Sequence, residues 1–221
     1  MAFVRTLALM TFLAAPGVAL IAGAAPRLID GLAVDAAIPV TTNMVADVSM
    51  SASAYRKAAA VLARADVSDG DAQIAAAEAA LYAGMTPTSQ LQRVSGALEH
   101  APASIRGWLL RAGILQERDP QGAAQSLSVA LLLAPYDFWE AGPRARAAAR
   151  QWNSLDPSAR DSARRQVRLL WEEPLLRRNV RTLLASSGGV ALVKASFAGD
   201  RDALRELNRW VSAQQRRSHS R

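Results

Sequence analysis

The stretches "GALEHAP" (96–102) and "VALLLAP" (129–135) share one spacing: Ala-Leu, then two residues, then Ala-Pro, with the prolines 33 residues apart. Before the second proline, small or apolar residues recur at intervals that place them on one face of a helix: Ala123, Leu127, Ala130 and Leu131. The equivalent offsets before the first proline hold Gln90, Val94, Ala97 and Leu98. The apolar character matches at the three middle offsets and fails at the outer two, where Gln90 corresponds to Ala123 and His100 to Leu133. The echo therefore predicts two helices with equivalent buried faces, and it places Leu127 and Leu131 in the core.

Another helix is predicted before each of these two. The stretches "DAQIAAAEAALYAG" (71–84) and "SIRGWLLRAGILQ" (104–116) both carry small or apolar residues at helical spacing. Thr86-Pro87 and Asp119-Pro120 then supply helix starts, because a side-chain acceptor followed by proline at the first helical position is a favourable opening. The sequence thus predicts two consecutive helical hairpins, preceded by one more amphipathic helix within 51–66.

These hairpins resemble tetratricopeptide repeats. The resemblance rests on a large residue followed by small or apolar ones in the first helix and on the residues of the second helix and its proline: Trp108, Ala112, Leu115, Ala123, Leu127, Ala130 and Pro135. The family repeats every 34 residues or so, whereas the prolines here are 33 apart. Arg111 also stands where the family usually has an apolar residue, and Gln90 replaces an alanine. The resemblance implies stacked helical hairpins.

Composition and charge narrow the classes of function. The chain has 221 residues and no cysteine, which excludes disulfides and thiolate metal sites. Residues 144–221 carry 17 basic and 7 acidic side chains, whereas residues 1–143 carry 9 and 12. This asymmetry points to an acidic partner or an anionic surface for the C-terminal half.

The N-terminal residues predict export. Arg5 precedes a charge-free run from 6 to 26, and about 20 apolar residues can cross a bilayer as a helix. The segment predicts a single-pass inner-membrane anchor with the body in the periplasm. The alternative is a signal peptide, cleaved near Ala24 after the small-x-small pattern, and secretion to the periplasm.

The C-terminal half predicts further helices that cap the repeats. Their predicted starts lie near Gly142-Pro143, at Asp156-Pro157 and at Glu173-Pro174, with Leu175 counted among the apolar positions of the third helix. Gly188-Gly189 is expected to break the chain, residues 190–197 favour a helix over a strand, and Asp200 is expected to cap the last helix. The predicted fold is all-α: a short array of tetratricopeptide-like hairpins with a C-terminal helical cap and an N-terminal transmembrane or signal segment. The domains are an anchor or signal peptide (1–25), a linker (26–50), helical repeats (51–136), a basic helical region (137–215) and a disordered tail (216–221).

Arginines of this basic region are the candidate partner-binding residues. Those on one predicted helix share a face, and three more follow on the next helix: Arg160, Arg164, Arg165, Arg168, Arg177, Arg178 and Arg181. A solvated surface partly neutralised by nearby carboxylates is one interpretation. The other is a groove that binds an acidic protein, an anionic polysaccharide or lipid headgroups.

The sequence contains none of the familiar catalytic patterns, such as Gly-x-Ser-x-Gly, a glycine-rich phosphate loop or His-Glu-x-x-His. It therefore predicts no enzyme, no metal and no cofactor. The predicted function is a non-catalytic cell-envelope scaffold or adaptor that binds a protein partner. The layout and the segment "APYDFWEAGPRARAAA" (134–149) resemble small membrane-anchored proteins of bacterial exopolysaccharide systems, which implies a role in exopolysaccharide synthesis or export. The alternative is an anionic glycan- or lipid-binding protein that uses the arginine face. Nucleic acid is not an expected partner, because no DNA- or RNA-binding signature is present.

Overall fold

The computed structural model describes residues 50–64, 69–133 and 135–209, with residue 139 described by its backbone only. Every regular element in these ranges is a helix. The predicted anchor or signal peptide, the linker up to residue 49 and the C-terminal tail lie outside the described residues. Within the described ranges, no helix combines the length and the hydropathy that a bilayer crossing requires. The chain divides into two compact units, Met1–His100 (unit 1) and Ala101–Arg221 (unit 2).

Unit 1 contains α1 (Ala52–Leu62), α2 (Gly70–Tyr82) and α3 (Pro87–His100). The core between α1 and α2 consists largely of alanines, which let two helix backbones approach closely. Tyr55 closes this core and stacks on Tyr82, with ring centroids 5.1 Å apart. The helix predicted within 51–66 is therefore confirmed, and it ends at Leu62.

The turn between α2 and α3 depends on a glycine. Gly84 has φ of +83°, a conformation that is costly for residues with a Cβ atom. Its N–H donates to the carbonyl of Leu81, and the N–H of Met85 donates to the carbonyl of Ala80, both at 2.9 Å. This pair of bonds is the Schellman arrangement that ends a helix. It leaves the chain ready to begin α3 at Pro87, as predicted.

Unit 2 contains the remaining elements. They are α4 (Ile105–Leu115), α5 (Pro120–Leu133), α6 (Phe138–Arg150), a 3₁₀ turn (Trp152–Ser154), α7 (Pro157–Glu172), α8 (Arg177–Leu183), α9 (Ser187–Ser196) and a helical stretch at 201–209. The predicted core residues Leu127 and Leu131 of α5 are fully buried, in one core cluster with residues of α6 and α7 such as Ala145 and Val167.

The predicted helix caps in unit 2 are confirmed. The carboxylates of Asp119, Asp156 and Asp200 each accept a hydrogen bond from the backbone N–H three residues later, at 2.8–2.9 Å. Such a bond satisfies one of the orphan donors at a helix N-terminus. The helix favoured within 190–197 is also confirmed, because these residues fall largely in α9.

The predicted start of α6 near Gly142-Pro143 is wrong. The helix begins at Phe138 and runs through Pro143, which lacks an N–H to donate to the preceding turn. The guanidinium of Arg144 donates to the carbonyls of Asp137 and Glu140. These bonds stabilise the first turn of α6, which Pro143 alone predicts to be a loop.

Two further expectations for the C-terminal half are wrong. α8 begins at Arg177 rather than at Pro174. Residues 174–176 form a separate turn, in which the N–H of Leu176 donates to the carbonyl of Glu173 at 2.9 Å. Leu175 falls in the intervening turn and is 82% exposed. Gly188 and Gly189 do not break the chain. They form the first turn of α9, where the side chain of Ser186 accepts from the N–H of Gly189.

Candidate functional site

The predicted partner-binding arginines lie on α7 and α8, and packing within unit 2 engages several of them. Arg160 donates to the carbonyls of Trp152 and Asn153 at 3.2 and 3.0 Å. The guanidinium carbons of Arg160 and Arg164 lie 5.6 and 5.9 Å from the centroid of the Trp152 ring, within reach of cation–π attraction. Arg164 also pairs with Asp161 at 2.9 Å. These two arginines are packed around Trp152.

Arg168 and Arg177 connect helices. Arg168 donates from Nε to the carbonyl of Ser196 at the end of α9, at 2.7 Å. Arg177 donates from Nε to the carbonyl of Trp171 at 2.6 Å and pairs with Glu206 at 3.2 Å. Its guanidinium carbon also lies 4.7 Å from the centroid of the Trp171 ring. Both side chains therefore satisfy carbonyl groups of unit 2.

The remaining three predicted arginines are exposed, and they differ in whether a hydrogen bond engages them. Arg165 is exposed and donates to the hydroxyl of Ser162 at 2.7 Å. Arg178 and Arg181 are exposed, and no hydrogen bond or ion pair engages either of them in the part of the chain that the structure describes. Five of the seven arginines thus make local interactions within unit 2, and Arg178 and Arg181 are the pair left available to a partner.

An open cleft of about 1240 Å³ lies beside Arg168. The end of α7, residues 197–200 and the helical stretch 201–209 line it. Trp171 and Phe197 pack edge to face there, with ring centroids 6.0 Å apart. Both rings are buried, while charged side chains of both signs surround the opening. The cleft contains no group of at least three potential metal ligands, and none occurs elsewhere among the described residues.

Among the described residues of unit 2, four of the five exposed large apolar side chains lie close together in the sequence, at the connection between α5 and α6, and the fifth is Leu175. Leu132, Leu133, Tyr136 and Phe138 are exposed by 53, 39, 74 and 49%, and together they are named the apolar turn. Single exposed apolar residues are ordinary on protein surfaces, whereas several together mark an interaction site. The apolar turn is therefore the strongest candidate for a binding surface in unit 2.

Two buried polar side chains lie beneath the apolar turn. The guanidinium of Arg144 donates from Nη2 to the carbonyl of Asp137 at 2.7 Å and from Nε to the carbonyl of Glu140 at 3.3 Å. The carboxamide of Gln166 in α7 donates from Nε2 to the carbonyl of Pro135 at 2.7 Å. The backbone on both sides of Tyr136 is therefore held by hydrogen bonds from the core.

The charge of Arg144 is opposed by its burial and supported by its neighbours. Burial lowers the pKa of Arg144 below its ordinary value, while the nearby carboxylates of Asp137 and Glu140 act to raise it. A guanidinium keeps its proton under all ordinary conditions in proteins. Arg144 is therefore a buried cation with two carboxylates beside it.

Neither the apolar turn nor its buried supports were predicted from the sequence. Residue 144 falls on the same helical stripe as the buried Ala141, Ala145 and Ala148, so an arginine in that stripe was the available signal. Leu132 and Leu133 fall off the stripe that contains Leu131, which was the signal for their exposure. The wrong start for α6 hid both, because it assigned residues 138–142 to a loop.

Comparison with known proteins adds no relative: no protein-family model, no curated protein and no solved structure matches the chain.

Proposed function

We propose that this protein is a non-catalytic helical adaptor of the cell envelope that binds a protein partner through the apolar turn. The observation that carries the proposal is the exposure of four large apolar side chains within seven residues. Two of them are aromatic, and aromatic residues are enriched in the buried centres of protein interfaces. Docking of a partner would remove this apolar area from water, which is the main favourable term in association.

The rest of the proposed architecture follows the sequence. The α2–α3 and α4–α5 hairpins are proposed to be tetratricopeptide-like units, supported by the burial of equivalent residues in α3 and α5. The charge-free run 6–26 is proposed to anchor the chain in the inner membrane with the body in the periplasm, or to be cleaved near Ala24. In this arrangement the apolar turn meets envelope proteins, including those of exopolysaccharide synthesis or export.

A crosslinking experiment in cells tests the partner. A photoreactive phenylalanine analogue replaces Tyr136 in the full chain, and Asn153, exposed at the turn after α6, serves as the matched control position. We expect a discrete adduct with one protein from position 136 and none from position 153. Adduct formation should fall when Phe138→Ser is added, because half of the aromatic surface is lost. No adduct at 136, or the same adducts from both positions, would contradict the proposal.

The compartment has its own test. Cell fractionation should place the full-length or processed protein in the inner membrane or the periplasm, and protease added to spheroplasts should digest its body. A soluble, unprocessed protein in the cytoplasm, protected from protease, would contradict the envelope assignment.

The exposure of Arg178 and Arg181 favours a second candidate function, the binding of an anionic glycan or lipid headgroup. Opposite charges set association while exposed charges contribute little to stability. Arg178→Glu with Arg181→Glu should weaken retention on immobilised alginate or on vesicles containing phosphatidylglycerol, and the difference should shrink as salt rises. Arg56→Glu with Lys57→Glu, on the exposed side of α1, is the matched control with the same change of net charge. Equal retention of both double variants would exclude a specific role for α8.

A further inference from the structure

Arg144 and Gln166 are polar exceptions inside the core of unit 2. Both side chains are 0% exposed, and their neighbours are mostly alanines, leucines and valines. Burial of a cation or a carboxamide costs free energy unless hydrogen bonds replace the lost water. Apolar residues of similar volume often serve a core equally well or better. Filling the core therefore does not explain why these residues are polar.

The hydrogen bonds of both side chains converge on the backbone around Tyr136. Gln166 donates to the carbonyl of Pro135, the residue before it, and Arg144 donates to the carbonyl of Asp137, the residue after it. One donor belongs to α6 and the other to α7, so the turn is attached to two different helices. Between these attachments the side chain of Tyr136 is the most exposed of the apolar turn.

The two polar atoms of the Gln166 carboxamide differ in their hydrogen bonding. Its Oε1 is buried and has no hydrogen-bond partner in the described part of the chain, although a buried acceptor without a partner is unfavourable. The carbonyl of Pro135 can only accept, so the donor Nε2 must face it. The contribution of position 166 to the turn is therefore a donor.

We propose that Arg144 and Gln166 are positioning residues that hold the apolar turn in one conformation for its partner. A turn that is ordered in advance spares the complex the entropy cost of ordering it on binding. The inference rests on the proposed function only for the existence of that partner. The effect on the turn itself can be measured without one.

The mobility of the turn is the direct test. Because the chain contains no cysteine, Tyr136→Cys provides a single attachment point for a nitroxide spin label in the full chain. We expect a restricted spectrum at position 136, and a clearly more mobile one after Arg144→Met or Gln166→Met. Arg144→Lys should restore part of the restriction, because an ammonium can reach one of the two carbonyls.

A reciprocal pair of variants controls for general loosening of unit 2. Arg160→Met removes a similar arginine, whose bonds go to the carbonyls of Trp152 and Asn153. With labels at Asn153→Cys and at Tyr136→Cys, Arg160→Met should loosen position 153 only, and Arg144→Met position 136 only. Circular dichroism should show unchanged helix content in Gln166→Met, because that variant retains the volume of the side chain.

The binding arm uses the crosslinking assay described above. Gln166→Met should reduce the adduct yield at position 136 by about tenfold, since ordering the backbone of a single residue on binding costs a factor of this size. Unchanged label mobility at 136 in both methionine variants would overturn the inference, as would loss of the fold in both. Absence of any adduct in the parent chain contradicts the proposed function and leaves the mobility result to decide the inference.

Discussion

The two echoing helices α3 and α5 bury the same four offsets with different chemistry. In α5 these residues are Ala123, Leu127, Ala130 and Leu131, and in α3 they are Gln90, Val94, Ala97 and Leu98, all buried. At the first offset, a fully buried alanine in α5 corresponds in α3 to a glutamine that is 3% exposed. The Oε1 atom of Gln90 has no hydrogen-bond partner among the described residues. Helix geometry thus determines which positions are buried, while the residue type at each position varies independently.

The Ala-Pro turns that follow these helices differ in a similar way. The carbonyl of Pro102 accepts from the indole Nε1 of Trp108 at 2.8 Å, and the carbonyl of Pro135 accepts from Gln166 at 2.7 Å. Both prolines are thus held by a side chain from a later helix. Alanine follows the first proline, whereas Tyr136 follows the second and is exposed. A candidate binding residue therefore follows the proline in only one of these two turns.

The largest expected effect tests whether the buried offsets are equivalent. Leu131→Ala in α5 and Leu98→Ala in α3 should each lower the free energy of unfolding by about 2–5 kcal/mol, because each leaves a cavity in a packed core. Urea unfolding followed by circular dichroism measures both. A loss under about 0.5 kcal/mol, typical of surface sites, at either position would break the equivalence.

The second-largest expected effect on stability comes from substitutions at the first offset, which is position 123 in α5 and position 90 in α3. Ala123→Gln should destabilise the chain by about 1–3 kcal/mol, because the site is fully buried and the added atoms overpack it. Gln90→Leu should change stability little, because it removes a buried acceptor without a partner together with the hydrogen bond that Nε2 donates to the hydroxyl of Ser89 at 3.0 Å. Comparable destabilisation by both changes would mean that this hydrogen bond outweighs the unpaired acceptor.

The side chains at the N-termini of α5 and α3 should differ in how much they stabilise the folded chain. Asp119 accepts from the N–H of Gly122 at 2.9 Å, whereas the hydroxyl of Thr86 lies 3.1 Å from the hydroxyl of Ser89. Asp119→Ala should therefore cost about 0.5–2 kcal/mol, as the loss of an N-cap usually does, and Thr86→Ala should cost less. Thermal unfolding of the two variants side by side gives the comparison, and a larger loss for Thr86→Ala would reverse it.

The smallest expected effect is a pH dependence of the free energy of unfolding. It comes from Asp156, which Ser128 of α5 contacts. The hydroxyl of Ser128 lies 3.0 Å from the carboxylate of Asp156, and Ser95 occupies the same offset in α3. The hydrogen bond from the N–H of Ala159 is the main cause that lowers the pKa of Asp156, and Ser128 adds to it. The hydrogen bonds to the ionised Asp156 therefore stabilise the folded chain. This stabilisation is fully present above the unfolded-state pKa of about 3.9 and is lost as pH falls through the lower folded-state pKa.

Asp156→Asn keeps an acceptor and does not titrate. The difference in unfolding free energy between the natural chain and this variant should be constant near neutral pH. It should narrow as pH falls below about 4. A difference that widens in acid would mean that the pKa of Asp156 is raised rather than lowered.

Sequence reasoning reached the helices and their core faces but not the candidate site. Helix starts at Pro87, Pro120 and Pro157 agree with the structure, because caps and proline effects act over three or four residues. The start of α6 was wrong because Arg144 stabilises an additional turn before Pro143. The apolar turn was not predicted for the same reason, since the exposure of its residues depends on where α6 begins.

The sequence by itself determined an all-helical chain and the faces that its helices bury in the described residues. The reason is local: residues three and four apart share a helix face, and a cap bonds within one turn. Only the tertiary structure decided which arginines are engaged and which polar groups support the turn before α6. Arg168 reaches a carbonyl 28 residues away and Gln166 one 31 residues away. Local patterns carry no information on such pairs, because long side chains reach whichever carbonyl the packing of the helices brings near.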